Sequence, residues 1–292
     1  LGYQRERANR MGTSTANSGT SGNGTPLIPS WLDDASSDLN QPPADGGSPI
    51  TPSPIPESGE PNRYTAPRTA FSKFARSGGS SRGSLGRAVS GYVSRSSGGA
   101  KGAAQRMGAS RTTGGRLLGF LSDTANRGIG EALKSLNLDG LAGQPIGDIF
   151  RGLADYICPE GGSMDVGIAR DAFFQTVVDL DESGIADLNN LNTDQVQTIF
   201  EMFTTHAIED RIYNEIGTRA ITLPTDMTAI DNVQIQLHDF ISNGVADTLN
   251  DMKGRLQNLP QDKILEFVDD VYEQAFSVLA AMGEAENEKE RA

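Results

Sequence analysis

The sequence has one cysteine, Cys158, so the chain can build neither an internal disulfide framework nor a cysteine zinc site. Histidine is almost as scarce, with only His206 and His238, and Trp31 is the single tryptophan. No stretch approaches the ~18–20 apolar residues that carry a helix across a bilayer, and no signal-peptide core is present. These absences predict a soluble cytoplasmic chain with no membrane partner. Acidic residues are missing altogether from Pro61 to Ser122, where there are 11 Lys or Arg. From Asp123 to Ala292 the balance reverses to 31 acidic and 11 basic residues, so the overall charge of −13 conceals a basic neck joined to an acidic body. An acidic body repels nucleic acid, which confines any polyanion contact to the neck.

Composition divides the chain further. Residues 11–62 hold 30 Gly, Ser, Thr or Pro among 52 positions, including 9 of the 14 prolines. Such a segment buries too little apolar surface to offset chain entropy, and residues 1–62 are therefore expected as a disordered tail. Met11 reads as the natural start. Removal of that methionine before the small Gly12 leaves a glycine amine at the tip of the tail, either an ordinary processed terminus or a target for a modifying enzyme. Ala16 stands where a myristoylation signal wants Ser or Thr. One apolar island interrupts the tail, with Leu27, Ile28, Trp31 and Leu32 between Pro26 and Asp33. Its prolines favour an extended backbone and Trp is a strong anchor, so the island either docks on a partner or folds back on the chain's own core.

The remaining periodicities are helical. Residues 63–116 form the basic, glycine-diluted neck, where Leu85, Ala88, Val89, Tyr92 and Val93 share a helical face. Gly98-Gly99 breaks that helix, and Ala100, Ala103, Ala104 and Met107 make a second stripe that Gly108 ends. Each glycine weakens a helix by roughly 1 kcal/mol against alanine, so the neck orders only against the body or a partner. In the body, residues 117–283, Leu117, Leu118, Leu121 and Ala125 form one stripe. Pro145 opens a helix carrying Ile146, Ile149, Phe150, Leu153 and Ile157. A helix from about Asp165 buries Val166, Ala169, Ala172, Phe173, Val177 and Leu180. Thr193 is expected to cap the next, which carries Val196, Phe200, Phe203, Ala207 and Ile212. Ala220-Ile221-Thr222-Leu223 is β-like but has no evident partner strand. Two long helices follow, one through Ile230, Val233, Leu237, Phe240, Ile241, Val245 and Leu249. The other, after Pro260, runs through Ile264, Leu265, Val268, Val271, Tyr272, Phe276 and Leu279. Residues 284–292 are charged and expected to fray. The fold class is all-α: a domain of six or seven helices behind a disordered tail and a basic helical neck.

No active site follows from these residues, and no cofactor or metal is expected. The two histidines fall on different helices with no second histidine at ligand spacing, which predicts surface or capping roles. Asp179, Asp181, Ser183 and Gly184 match the opening of a calcium loop, but Asn190 stands where a bidentate Glu is wanted, so an acidic helix-end turn is the better reading. Cys158 ends a helix, where the dipole opposes a thiolate. The glycine-rich runs near Gly98 and Gly114 match no phosphate loop.

Several stretches together resemble the QatB family of the bacterial Qat anti-phage system. They are Met11-Gly12-Thr13-Ser14, the island Pro26 to Asp34, and the block from Gly98 through Ala103-Ala104-Gln105-Arg106-Met107-Gly108 to Arg111. Cys158 to Gly162 and Ile168 to Ala172 complete the set. The resemblance implies a QueC-like enzyme (QatC), an ATPase (QatA) and a TatD-like nuclease (QatD) as partners. It further implies that the QueC-like enzyme joins a 7-deazapurine to the amine of Gly12. Combined with the apolar island, this gives the leading expectation, a substrate and scaffold on which Leu27, Ile28, Trp31 and Leu32 dock the enzyme. The competing expectation is a nucleic-acid adaptor whose polyanion contacts are Arg82, Arg87, Arg95, Lys101, Arg106, Arg111 and Arg116. Set against the adaptor is a charged linker that contacts its own acidic body, and a third class is a plain structural subunit with no modification.

Overall fold

A computed structural model of the chain describes residues 62–185, 188, 191–218 and 226–291. Among these residues there is no strand; the regular structure is ten α-helices, with short π-helical turns at Tyr92–Ser96 and Tyr213–Gly217 and 3-10 turns at Asp139–Leu141 and Gln261–Lys263. They are α1 (Thr65–Arg76), α2 (Arg82–Gly91), α3 (Ala100–Gln105), α4 (Gly108–Arg127), α5 (Ile129–Ser135), α6 (Ile146–Ile157), α7 (Met164–Glu182), α8 (Thr193–Ile212), α9 (Met227–Gln257) and α10 (Ile264–Arg291). The all-α class holds. The tail, with Gly12, Leu27, Ile28, Trp31 and Leu32, and the β-like run at 220–223 lie outside the described residues.

Local chemistry accounts for most helix ends. Pro145, with φ −55°, immediately precedes α6, whose Ile149, Phe150, Leu153 and Ile157 are buried. Gly98 and Gly99 adopt φ +78° and +101° and separate the turn after α2 from α3, a backbone that side-chain-bearing residues avoid. Two boundaries differ from expectation. Asn192 rather than Thr193 caps α8: its side chain accepts from the Gln195 amide at 2.9 Å, and Gln195 Oε1 accepts from the Asn192 amide at 3.0 Å. Gly108 does not end a helix but opens α4, which then runs through the expected neck–body boundary at 116/117. The stripe on α4 also turns by one residue, since Thr124 is buried and Ala125 is exposed.

A single contiguous core draws buried side chains from all ten helices, so the neck is part of the body rather than an appendage. Phe71 and Phe74 of α1 are fully buried, as are Val89 and Tyr92, the latter tilted against Phe276 of α10 at 6.3 Å. The glycines of the neck explain how the helices come so near. A Cβ on Gly86 would lie 2.5 Å from the carbonyl oxygen of Gly283, and one on Gly283 would lie 2.5 Å from that of Gly86. The two backbones therefore touch where α2 meets α10. This contact also corrects the expected frayed end. α10 continues to Arg291 because its last turns lie along α2. There Arg87 pairs with Glu290 at 3.0 Å and donates to Asn287 at 2.9 Å, and Ser81 donates to Glu290 at 2.9 Å.

Arg211, only 8% exposed, locks the other side of the neck. Its guanidinium donates to the Asp165 carboxylate and to the Arg106 carbonyl, and its other nitrogen reaches Glu215 at 3.4 Å. Asp165 in turn accepts from the Ala109 amide at 2.7 Å, so α7 supplies from outside the N-terminal cap that α4 lacks in its own sequence. Glu215 accepts from Tyr64 at 2.7 Å and faces Arg106 at 3.7 Å, while its backbone carbonyl takes Arg68.

Removing Arg211 leaves the part-buried Asp165 carboxylate, which caps α4, without its cation and takes from Glu215 one of its two arginine partners. Arg211→Ala is expected to lower stability by on the order of 3 kcal/mol, read from urea unfolding followed by circular dichroism. At Gly86 two effects oppose each other. Helix propensity favours Gly86→Ala by about 1 kcal/mol, whereas overpacking against the Gly283 backbone costs about 1–3 kcal/mol. Packing is expected to win, so the alanine variant should melt lower than the parent; a higher melting temperature would show that α2 and α10 separate freely.

Candidate functional site: a histidine pair between two helices

α8 presents His206 and Glu209 three residues apart, one helical turn, and therefore on one face. α9 crosses that face and brings His238 to it, with the two imidazole centroids 5.4 Å apart. His206 Nε2 lies 2.6 Å from Asp179 Oδ2 of α7, and His238 Nδ1 lies 2.8 Å from Glu209 Oε2. One ligating atom from each of His206, Glu209 and His238 falls within 4.8 Å of the others, so these three residues could hold a metal ion. His206 is buried and its Nδ1 has no hydrogen-bond partner among the described residues. The cluster lines a groove of about 540 Å³ with Gln175, Asp210, Tyr213 and Ile235.

This is the part of the molecule that differs most from the sequence reading, which kept the histidines apart in surface or capping roles. They are 32 positions apart on separate helices, and no short motif links them. The only local signal is the His206–Glu209 spacing on α8; the second histidine arrives through the packing of α9. Asp179 is likewise drawn into this cluster rather than into a calcium loop. Ser183 Oγ is used locally, donating to the Leu180 carbonyl at 2.8 Å and accepting from the Ile185 amide at 3.2 Å.

Burial and neighbouring charge set the protonation of the groove. Burial, followed by the charges of Glu209 and Asp171, pushes the Asp210 carboxyl up to about 7, against a partial offset from Gln175, which donates to it at 3.0 Å. The hydrogen bond to Glu209 raises His238 above the ordinary histidine value, with Asp179 and Asp239 adding to it and burial opposing it. Cys158, at the end of α6, is buried, and burial pushes its thiol up to about 11, the wrong direction for a nucleophile.

The seven candidate polyanion contacts of the neck divide into two groups. Arg87, Arg106 and Arg111 pair with Glu290, Glu215 and Asp269 at 3.0, 3.7 and 3.2 Å. Arg116 donates to the Tyr156 carbonyl at 3.2 Å, at the C-terminus of α6. Arg82, Arg95 and Lys101 are exposed and have no ion-pair partner among the described residues.

The titrations of Asp210 and His238 have the same sign. The folded Asp210 keeps a proton that the unfolded carboxyl, near 3.8, has lost, so stability falls as pH rises from about 4 to about 7. The His238–Glu209 contact stabilises fully below the unfolded histidine value and is lost as pH rises through the higher folded one. In protein treated with a chelator, the melting temperature is expected to drop between pH 5 and pH 8. Asp210→Asn, which can still accept from Gln175, should recover part of that drop at pH 8 with little change at pH 5. Parallel pH profiles for the two proteins would rule out Asp210 as the cause.

Comparison with known proteins bears on what this body is for. No curated protein matches the chain, and no solved structure matches it. A family model does, that of the Qat anti-phage system associated protein QatB, over residues 98–279. The match runs from the Gly98-Gly99 break through most of α10 and takes in His206, Glu209 and His238. It includes the 98–111, 158–162 and 168–172 stretches of the resemblance but not the tail. Matched over more than half its length, the chain belongs to the QatB family and so to the components of an anti-phage defence system.

Proposed function

We propose that this chain serves its defence system as a protein substrate and scaffold rather than as a catalyst. With Met11 removed, Gly12 offers a primary amine with no side chain to hinder attack. The QueC-like partner (QatC) uses ATP to activate a carboxylate on a 7-deazapurine, and the Gly12 amine displaces the activating nucleotide group and loses a proton as the amide bond forms. Leu27, Ile28, Trp31 and Leu32 dock the enzyme 15–20 residues away, close enough for a Gly/Ser/Thr-rich segment to span. The helical body engages the other subunits, the ATPase (QatA) and the TatD-like nuclease (QatD). The observation that carries this reading is membership of the QatB family. The buried thiol of Cys158, with its raised pKa, agrees with a non-catalytic body.

The adaptor reading, with nucleic acid on the neck, takes second place for an electrostatic reason. Four of its seven candidate contacts, Arg87, Arg106, Arg111 and Arg116, are already engaged by carboxylates or carbonyls of the same chain. Pulling them onto phosphate would break those contacts. Of the seven, Arg82, Arg95 and Lys101 remain exposed without a described ion-pair partner; with Lys73 and Arg76 of α1 that leaves five such cations in the neck, set against an acidic body.

Intact mass and N-terminal peptide mapping, with and without the QueC-like partner co-expressed, test the proposal. The expected result is a partner-dependent mass increase of deazapurine size on a peptide beginning at Gly12, lost in Trp31→Ala or strongly reduced. An unmodified glycine terminus under both conditions would overturn it, and a gel shift at low salt that Arg82, Arg95 and Lys101 substitutions abolish would favour the adaptor instead.

A further inference from the structure

We infer that His206, Glu209 and His238 form a binding site for a first-row divalent transition metal, with Zn²⁺ as its simplest occupant, that pins α9 to α8. The donor set is two imidazoles and a carboxylate, the mixture that borderline cations select over Mg²⁺ or Ca²⁺, which prefer all-oxygen shells. The three ligating atoms already lie within 4.8 Å of one another. Around a tetrahedral ion with bonds of ~2.0–2.1 Å, neighbouring ligand atoms stand about 3.4 Å apart, so loading requires closure of no more than about 1.4 Å per pair. Side-chain rotation on two packed helices supplies that movement without a change of fold.

A second, independent feature points the same way. His206 is 7% exposed, its Nε2 is held by the Asp179 carboxylate at 2.6 Å, and its Nδ1 is buried without a partner. A neutral imidazole that donates from one nitrogen to a carboxylate keeps a lone pair on the other. Metal-binding histidines are oriented in this way. An unpartnered buried nitrogen is otherwise an unfavourable feature of a packed core, and a bound cation removes it. His238 and Glu209 face each other at 2.8 Å, so a cation between them would replace one hydrogen bond with two coordination bonds. The three residues fill three positions of a tetrahedral shell. The fourth opens toward the groove, where water or an oxygen or nitrogen atom of a bound molecule completes it.

The background for a test is low, since the chain has only these two histidines and one buried cysteine. The full chain, with any affinity tag removed and stripped by chelator, is titrated with Zn²⁺ by calorimetry and with Co²⁺ by visible absorption. One equivalent per chain is expected, with a tetrahedral Co²⁺ spectrum and a rise in melting temperature on loading. His238→Gln, at a half-exposed position, and Glu209→Gln should each abolish the stoichiometric event while remaining folded by circular dichroism. Asp179→Asn should weaken binding by about 10–100-fold, the effect expected of an outer carboxylate that orients a ligating histidine. Asp247→Asn, which removes an exposed carboxylate elsewhere on α9, should bind as the parent does. Absence of a stoichiometric event in the parent would overturn the inference, as would folded His238→Gln protein that binds Zn²⁺ as tightly as the parent. If His238→Gln fails to fold, Glu209→Gln and Asp179→Asn decide the question by the same criteria. None of these outcomes depends on whether Gly12 is modified.

Discussion

Arg211 sits buried where α8 meets the α3–α4 junction and the start of α7, and the arrangement of the neck depends on it. One guanidinium holds the Asp165 carboxylate, the Arg106 carbonyl and, more loosely, Glu215. Through Asp165 it reaches the Ala109 amide and so the start of α4, and through Glu215 it reaches Tyr64 and Arg68 at the start of α1. A planar, always-charged group with five donors in a fixed fork suits such a node, where a lysine offers a compact point charge without that geometry. A hydrophobic replacement could fill the volume but could not hold the Asp165 carboxylate that caps α4, whose first turn carries no acid of its own.

The contrast in charge between neck and body acquires its meaning from this packing. In the sequence it looks like an arm held out to a polyanion. In the fold the chain serves in part as its own counter-ion: Arg87, Arg106 and Arg111 each face a carboxylate that follows them by 100 or more residues. Surface pairs of this kind contribute little individually. Their greater effect is on register, because each like-charge alternative is disfavoured along the same helix faces. The glycines of α2 act alongside them. They weaken the isolated helix, yet they let its backbone touch α10 at Gly283, a separation that larger side chains would forbid.

Under the proposed function the body and the tail carry different roles. The body is a helical unit built on one core, in a chain of a family tied to anti-phage defence, with a histidine cluster within the family match. The proposed chemistry at Gly12 belongs to the other end of the chain, in a segment whose composition suits an accessible terminus. A scaffold that holds partner enzymes while presenting its own terminus needs both: a fixed surface for subunits and a length of chain that can enter an active site.

Much of this was legible in sequence because helices announce themselves locally. Stripes such as Ile149, Phe150, Leu153 and Ile157, or Val268, Val271, Tyr272 and Phe276, recur at the helical period whatever lies across from them, and every one of these side chains is buried. Breaks at Gly98-Gly99 and after Pro145 are equally local, since they arise from the conformational range of single residues. What spans the chain was not legible. The persistence of α10 to Arg291, the cap on α4 supplied by Asp165, and the pairing of neck arginines with distant acids all depend on which surfaces meet. The histidine cluster is the clearest case. Sequence determined that His206 and Glu209 share a face of one helix, because a separation of three residues is one turn. Only the tertiary structure decided that His238 stands opposite them, because the crossing of α8 and α9 is set by core side chains such as Val233, Leu237 and Phe203 rather than by the polar residues that the crossing brings together.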